Sequence, residues 1–162
     1  MKRFLLLLIT LASVAVQAQP TRTLSADEIV EQLAAPPRTR SLGQRAFRLE
    51  PRKLDFQIGF DFDSARIRSD SVPQLEEIVR AMNAERLASI RFRIEGHTDG
   101  VGTAVYNEAL SDRRAKAVVE FLQSRGVVTS RLEAEGKGMR ELADPANPQA
   151  AINRRVRIVT ID

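Results

Sequence analysis

The sequence predicts an α+β two-layer sandwich, in which helices pack on one face of a mixed β-sheet. Two observations predict this class. Segments in which polar and apolar residues alternate, as in half-buried strands, are interspersed with segments whose apolar residues recur at helical spacing. In chain order they give β-α-β-α-β-β, and each helix has one apolar stripe to bury against a sheet. The two β-α-β units are expected to cross over in the right-handed sense.

The first 18 residues are predicted to form a cleaved signal peptide. Lys2 and Arg3 precede an apolar run from about Phe4 to Val16, and the residues up to Ala18 suit signal-peptidase cleavage after that alanine. The run is shorter than the ~20 residues that a membrane-spanning helix needs. We therefore expect an exported protein whose mature chain has no transmembrane segment.

The composition argues against several classes of function. The chain has no cysteine, which removes disulfides, thiol chemistry and thiolate metal sites. Its net charge is +4, and without residues 1–18, which hold two basic and no acidic residues, it is +2. A nucleic-acid partner would require a concentrated basic surface, so none is expected. With a single histidine, only carboxylates remain as further metal ligands, and we expect no metal and no cofactor.

Residues 19–53 are predicted to be an N-terminal tether with a short helix. Ser25 is the expected N-cap, followed by acidic residues in the first turn and by Ile29 and Leu33. The basic, aperiodic remainder favours a flexible linker. An alternative function is that of an interaction adaptor, in which segment 23–35 docks on another envelope protein through Ile29 and Leu33 as anchors.

The folded domain is predicted to span residues 54–162. Apolar residues occupy alternate positions from Leu54 to Phe62, which predicts a half-buried strand over 54–62. Ser71 begins a capping-box pattern with a proline in the first turn. Apolar residues at helical spacing follow, so an amphipathic helix is expected over about 71–85.

The second half of the domain is predicted to hold a strand, a long helix and two further strands. In segment 89–96, Ile90, Phe92 and Ile94 are expected to face inward and Arg91, Arg93 and Glu95 outward. A helix follows over 103–125, with Gly126 as its C-terminal stop. Its expected apolar stripe consists of Tyr106, Leu110, Ala117, Val118, Phe121 and Leu122. The last two strands are predicted at 131–136 and 155–161.

A polar loop that contains the only histidine carries the most unusual chemistry, with His97, Thr98 and Asp99 adjacent in sequence. A nucleophilic triad of His97, Asp99 and Ser111 is disfavoured, because Ser111 lies inside a helix and not on a nucleophile elbow. A glycosidase-like carboxylate pair, such as Asp63 with Asp99, stays open but lacks any sign of a raised pKa. We therefore expect no enzyme activity.

Arg114 is the other candidate, because its spacing of four from Leu110 and Val118 places it on the inward stripe of the long helix. In one interpretation its role is structural, as a snorkelling or ion-paired arginine at the edge of the stripe. In the other, its guanidinium binds a ligand carboxylate through two parallel hydrogen bonds. Asp99 lies in the loop that enters the same helix. If both line one cleft, Asp99 would bind the ammonium and Arg114 the carboxylate of a zwitterion. Spacing alone does not decide between these interpretations.

Four stretches resemble signatures of the OmpA-like peptidoglycan-binding domain, the family of OmpA C-terminal domains, peptidoglycan-associated lipoproteins and flagellar stator proteins. They are FDFDS at 60–64, EGHTDGVGTAVYN at 95–107, LSDRRA at 110–115 and NRRV at 153–156. The resemblance covers nearly all of residues 54–162. It implies a sheet order of 1-4-2-3 and a protein of the Gram-negative periplasm, with an association with the outer membrane left open. It also implies non-covalent binding of the peptidoglycan stem peptide through diaminopimelate, whose side chain ends in a zwitterion.

The resemblance also implies roles for individual residues. The ligand aspartate falls on Asp99 and the ligand arginine on Arg114. Supporting contacts with the ligand fall on Asp63, Thr98, Asn107 and Leu110. His97 is expected to be a neutral, hydrogen-bonded residue that shapes its loop, and Asn153, Arg154 and Arg155 are expected to pair with acids or carbonyls near the pocket floor. The stretch 138–155 is shorter than in many members and lacks their usual Thr and Gly-Arg.

Overall fold

The computed structural model describes residues 22–34 and 50–161. The predicted signal peptide lies outside these residues, as does most of the predicted tether, so both stay predictions. The described part contains the helices α1 (Ala26–Ala34), α2 (Val72–Asn83) and α3 (Ala104–Ser124) and the strands β1 (Lys53–Phe56), β2 (Arg91–His97), β3 (Leu132–Gly138) and β4 (Arg155–Ile161). No helix in the described ranges combines the length and the apolar character needed to cross a bilayer.

The four strands form one mixed sheet in the order β1-β4-β2-β3. Strand β4 runs antiparallel to both of its neighbours, β1 and β2, while β2 and β3 are parallel. The parallel pair is joined through α3, as a β-α-β unit requires. The predicted fold class and the 1-4-2-3 order are confirmed.

Glycines let α3 lie directly on the parallel strands. A Cβ atom at Gly96 would come within 2.2 Å of the carbonyl oxygen of Ser111, and one at Gly136 within 2.6 Å of a backbone nitrogen of α3. The hydroxyl of Ser111 accepts a hydrogen bond from the backbone N–H of Gly138 at 2.8 Å. This hydroxyl therefore serves the helix–sheet contact, and the contact fixes the position of Arg114 one turn further along α3.

Helix α1 packs on α2 as part of the core. Ser25 and Glu28 form a capping box, which confirms the predicted helix start. Ile29 is fully buried and Leu33 is 3% exposed. The adaptor hypothesis that used these two side chains as anchors is wrong on this point, because the protein's own core already covers them.

The predicted strand over 54–62 is too long, because pairing with β4 ends at Phe56. Beyond it the backbone N–H of Gly59 donates to the hydroxyl of Ser71 at 2.7 Å, and the chain then turns back so that Phe62 is fully exposed. The same bond explains a second correction: Ser71 does not cap α2 with its side chain. Polar and apolar residues alternate as far as Phe62, but β4 pairs with this segment only as far as Phe56.

Two predicted orientations are also wrong. Glu95, expected to face solvent, is 5% exposed, and Tyr106, expected in the apolar stripe, is 44% exposed. Glu95 lies on the helix-free side of the sheet, 3.5 Å from Nζ of Lys137. The positive charge of Lys137 on the neighbouring strand compensates the Glu95 carboxylate, so this carboxylate can be buried.

The helix-free side of the sheet carries a network of paired charges, which we call the charged sheet face. It consists of Asp55, Glu95, Glu135, Lys137, Arg155 and Arg157. Asp55 joins two arginines, with Oδ1 2.7 Å from Nε of Arg157 and Oδ2 3.1 Å from Nε of Arg155. The pairs of Asp55 link β1 to β4, and the pair of Glu95 with Lys137 links β2 to β3.

Candidate functional site

The early end of β1 leaves a pocket of about 700 Å³ beside the start of β4. Residues 56–60 and 154–156 form much of its wall, together with His97 and Arg114. Residues 22–24, which lead into α1, also line it. The pocket therefore lies where β1 diverges from the sheet, close to the loops that hold the predicted ligand residues.

Arg114 enters this pocket with part of its guanidinium unused. Its Nε donates to the carbonyl of Ser64 at 2.9 Å, and its Cζ lies 4.9 Å from the centre of the Phe60 ring. Within the part of the chain that the structure describes, neither Nη has a hydrogen-bond partner and no carboxylate lies within ion-pair distance. A half-buried arginine of this kind can accept a ligand carboxylate through both terminal nitrogens.

The pKa of Arg114 is lowered from its ordinary value. Desolvation by burial is the largest cause, and the positive charge of Arg154 acts in the same direction, while the charge of Asp99 opposes it. The guanidinium nevertheless stays protonated at neutral pH, since arginine does not deprotonate in proteins. Arg114 and Arg154 line the same pocket, while Asp99 does not line it and is connected to it through its ion pair with Arg154.

Asp99 is engaged by an arginine that sequence reasoning placed among the structural residues. Its Oδ2 accepts from Nη1 of Arg154 at 2.8 Å, and its Oδ1 accepts from the backbone N–H of Val101 at 3.2 Å. The expectation that Arg154 pairs with an acid is confirmed, but the acid is the predicted ligand aspartate itself. Arg154 also lines the pocket, so the site holds two arginines and one aspartate.

Asp63 lies at the edge of this site and connects two of its loops. Its backbone has a φ of 47°, in the left-handed region, and its carboxylate accepts a hydrogen bond from the Tyr106 hydroxyl. That bond, followed by burial, raises the pKa of the Tyr106 hydroxyl. The tyrosine is thus a functional-site residue that the apolar-stripe prediction misplaced. The sequence could have indicated this role, because Tyr106 lies in the first helical turn, three residues after the N-cap Thr103.

The other predicted supporting residues form the buried wall behind the loop. Asn107 is 2% exposed and donates from Nδ2 to the carbonyl of Val101 at 2.8 Å. Leu110 is buried on the same helix face. Thr98 is buried too, and its backbone N–H donates to the carbonyl of Gly138 at 2.9 Å. These contacts hold the loop that presents Asp99.

His97 does not make the hydrogen bonds expected of it. Both of its ring nitrogens are buried without a hydrogen-bond partner, and so is the Thr98 hydroxyl. Its Nε2 lies 3.7 Å from Oε2 of Glu95, which is too long for a hydrogen bond and within ion-pair range. Burial alone would raise the pKa of Glu95, but the contact with His97 and the charge of Lys137 outweigh it and lower that pKa.

The region that holds the pocket matches a known protein family. The model of the OmpA family matches residues 59–157, which is more than half of the chain. The chain belongs to the OmpA family. The match includes the stretches that carry Asp63, Asp99, Arg114 and Arg154, so each candidate residue lies in the part that this family shares.

The chain is similar to curated proteins that are named for the outer membrane. It is 38% identical over 107 residues to outer membrane porin F of Pseudomonas aeruginosa, covering 64% of this chain and 30% of the porin. It is 31% identical over 150 residues to the outer-membrane lipoprotein YfiB of the same species, covering 88% and 82% of the two chains. This chain thus spans less than a third of the porin.

Solved structures of OmpA-family domains have the same architecture. The peptidoglycan-associated lipoprotein from Burkholderia pseudomallei superposes with a TM-score of 0.54 at 30% identity, over 64% of this chain and 88% of that one.

Proposed function

We propose that this protein binds peptidoglycan non-covalently in the periplasm of a Gram-negative envelope. The observation that carries the proposal is the free guanidinium edge of Arg114, half-buried in a pocket wall beside Asp99. Membership of the OmpA family supports the same function, as does similarity to a structure named for its association with peptidoglycan.

The stem-peptide residue recognised is diaminopimelate, at the zwitterionic end of its side chain. The carboxylate would bind the two terminal nitrogens of Arg114, and the ammonium would bind Asp99. Each charge-assisted hydrogen bond contributes roughly 1.5–3 kcal/mol. Since Asp99 and Arg114 carry opposite charges, the site selects a zwitterionic group and determines the orientation in which it binds.

Arg154 keeps Asp99 neutralised until the ligand arrives. The ligand ammonium replaces Arg154 at Oδ2 of Asp99. This exchange has a small cost, because the Arg154 side chain is 49% exposed and such ion pairs contribute about 0–1 kcal/mol. The released Arg154 stays next to the ligand carboxylate, since it lines the same pocket.

The proposal is tested by replacing Arg114 and, as a matched control, its exposed neighbour Arg113. We expect Arg114→Ala to weaken binding to purified sacculi by at least about tenfold, because it removes the charge-assisted contact with the carboxylate. Arg113→Ala removes the same charge from the surface and should stay within about twofold of wild type. Equal co-sedimentation of Arg114→Ala and wild type with sacculi would refute the proposed function.

The choice of diaminopimelate is tested with two tripeptides that differ only in their third residue. A lysine in place of diaminopimelate keeps the ammonium and removes the carboxylate, so Arg114 would be left without its ionic partner. We expect isothermal titration calorimetry to find at least tenfold weaker binding of the lysine peptide. Equal affinities would show that the side-chain carboxylate is not recognised.

A further inference from the structure

Four exposed apolar side chains lie on the segments that carry Asp63 and Asp99 and on the first turn of α3, and we call them the apolar rim: Phe62, Val101, Val105 and Tyr106. Phe62 is fully exposed and Val105 is 82% exposed. Single exposed apolar residues are ordinary on protein surfaces. A cluster of them beside a polar site indicates a contact surface.

The rim is joined directly to the residues of the proposed clamp. Phe62 lies on a turn that is closed by a hydrogen bond from the backbone N–H of Asp61 to the carbonyl of Arg66 at 3.0 Å. Two residues further on, the carbonyl of Ser64 accepts the hydrogen bond from Arg114. Since two residues span at most about 7 Å, the backbone of Phe62 lies within that distance of the backbone of Ser64.

The α3 side of the rim is held to the same turn. Tyr106 donates its hydroxyl hydrogen bond to Asp63, the residue after Phe62. Val105 precedes Tyr106 in the first turn of the helix, and Val101 belongs to the loop that presents Asp99. A ligand gripped by Asp99 and Arg114 would therefore leave the site past these side chains.

We propose that the apolar rim binds the face of a sugar ring of the glycan strand to which the stem peptide is attached. This proposal rests on the proposed function. A pyranose ring presents C–H bonds on its faces, and their weakly positive hydrogens fit the negative face of an aromatic ring. The sugar is separated from the gripped residue by a few peptide units, each at most about 3.5 Å long, so the clamp and the rim can be occupied together.

The size and charge of the rim favour a sugar over other occupants. A stable protein partner needs roughly 800 Å² of surface on each side, which four side chains do not supply. An anionic membrane surface is not favoured either, because Arg66 is already paired with Asp61 and the carboxylate of Asp63 also lies next to Phe62. A neutral sugar ring with one apolar face needs neither a large contact area nor a basic surface.

The test compares two ligands that differ only in the sugar: a disaccharide-tripeptide and the same tripeptide without the disaccharide. We expect Phe62→Ala to weaken the disaccharide-tripeptide by about five- to tenfold and to leave the free tripeptide within about twofold of wild type. Val128→Ala, which removes another exposed apolar side chain far along the sequence from the rim, should change neither affinity. Phe62→Tyr keeps the aromatic face and should restore binding of the disaccharide-tripeptide.

Each contrary result has a distinct meaning. If wild type binds both ligands equally and Phe62→Ala changes neither, the rim proposal fails while the proposed function stands. If Phe62→Ala weakens both ligands alike, the rim contacts peptide and the sugar assignment is overturned. If wild type binds neither ligand, both proposals fail. Loss of binding to anionic phospholipid vesicles, or of self-association, in Phe62→Ala would assign the rim to a membrane or to a second copy and overturn the proposal.

Discussion

The charged sheet face and the pocket wall around Arg114 are built from the same residue types and differ in how their charges are paired. The two regions meet at Asp55 and Arg155, which also line the pocket. On the sheet face, Asp55 is bonded to two arginines, and Lys137 lies 2.7 Å from Glu135. In the pocket, Arg114 has no carboxylate partner within the described ranges, and neither ring nitrogen of His97 has a hydrogen-bond partner. Charges that are paired within the protein stabilise it, whereas a charge left unpaired at a pocket wall is available to a ligand.

The largest effect is expected in β2, which contributes residues to both regions. Glu95 faces the charged sheet face, while the next residue, Gly96, faces α3 on the pocket side. A Cβ at Gly96 would meet the Ser111 carbonyl at 2.2 Å, so α3 must shift. We expect Gly96→Ala to lower the free energy of unfolding by about 3 kcal/mol and to weaken sacculus binding because Arg114 moves with the helix.

A glycine elsewhere supplies the control for this variant. Gly126 has a φ of 92°, and a Cβ added there would meet nothing within 4 Å, so Gly126→Ala should cost only about 1 kcal/mol of backbone strain and leave binding intact. Chemical denaturation measures both variants. A Gly96→Ala protein as stable as Gly126→Ala would mean that α3 does not lie on the strand as described.

The next effect concerns the charged sheet face itself. Asp55→Asn removes the carboxylate that pairs with Arg155, whose side chain is 1% exposed. We expect a loss of about 2 kcal/mol in the free energy of unfolding, less than for a fully buried pair because the Asp55 side chain is 40% exposed. A change below about 0.5 kcal/mol in urea denaturation would contradict the structural role assigned to this network.

The sheet face should also make stability depend on pH. Burial favours protonation of Asp55 and Glu95, but in Asp55 the two arginines, and in Glu95 His97 and Lys137, outweigh burial and lower each pKa below its ordinary value of 3.8 or 4.5. Their stabilisation is therefore complete above about pH 4.5 and is lost as the pH falls through the lowered values. We expect thermal unfolding to shift to lower temperature in this acid range, with a flatter dependence in Asp55→Asn. If the unfolding temperatures of wild type and Asp55→Asn depend on pH in the same way, Asp55 does not contribute to the pH dependence of stability.

The smallest effect is expected for the ion pair at the pocket. Arg154 pairs with Asp99 at 2.8 Å, yet its side chain is 49% exposed. Arg154→Ala should therefore change the free energy of unfolding by only about 0.5 kcal/mol, although it removes an arginine–aspartate pair just as Asp55→Asn does. If chemical denaturation finds the same loss in the free energy of unfolding for Arg154→Ala and Asp55→Asn, the ion pair at the pocket stabilises the protein as much as the charged sheet face does, which would contradict the comparison.

Local sequence patterns were sufficient for most of the fold. Alternation located β2 and β4, helical spacing located α2 and α3, and the capping pattern at Ser25 located α1. The errors arose where a long-range contact decides the outcome. The alternating pattern beyond Phe56 does not show that β4 stops pairing there, and the buried position of Glu95 depends on Lys137 of the neighbouring strand.

The candidate site follows the same rule. Asp99 and Arg114 could be proposed from spacing and family resemblance, because both lie in short motifs. The pairing of Asp99 with Arg154 joins residues 55 positions apart, and the bond from Tyr106 to Asp63 joins residues 43 positions apart. Neither pair leaves a pattern in one sequence, so only the folded chain connects them.

The position of residues 22–24 at the pocket has a mechanical consequence. The chain enters the domain beside the ligand site, and α1 then fastens it to α2 through bonds such as that from the Ala26 N–H to Glu77 at 2.8 Å. A tensile force between the N-terminal side of Arg22 and a bound cell wall would therefore run through α1 and the pocket region. Of the four strands, only β3 contributes no residue to the pocket wall, so β3 would lie outside this force path.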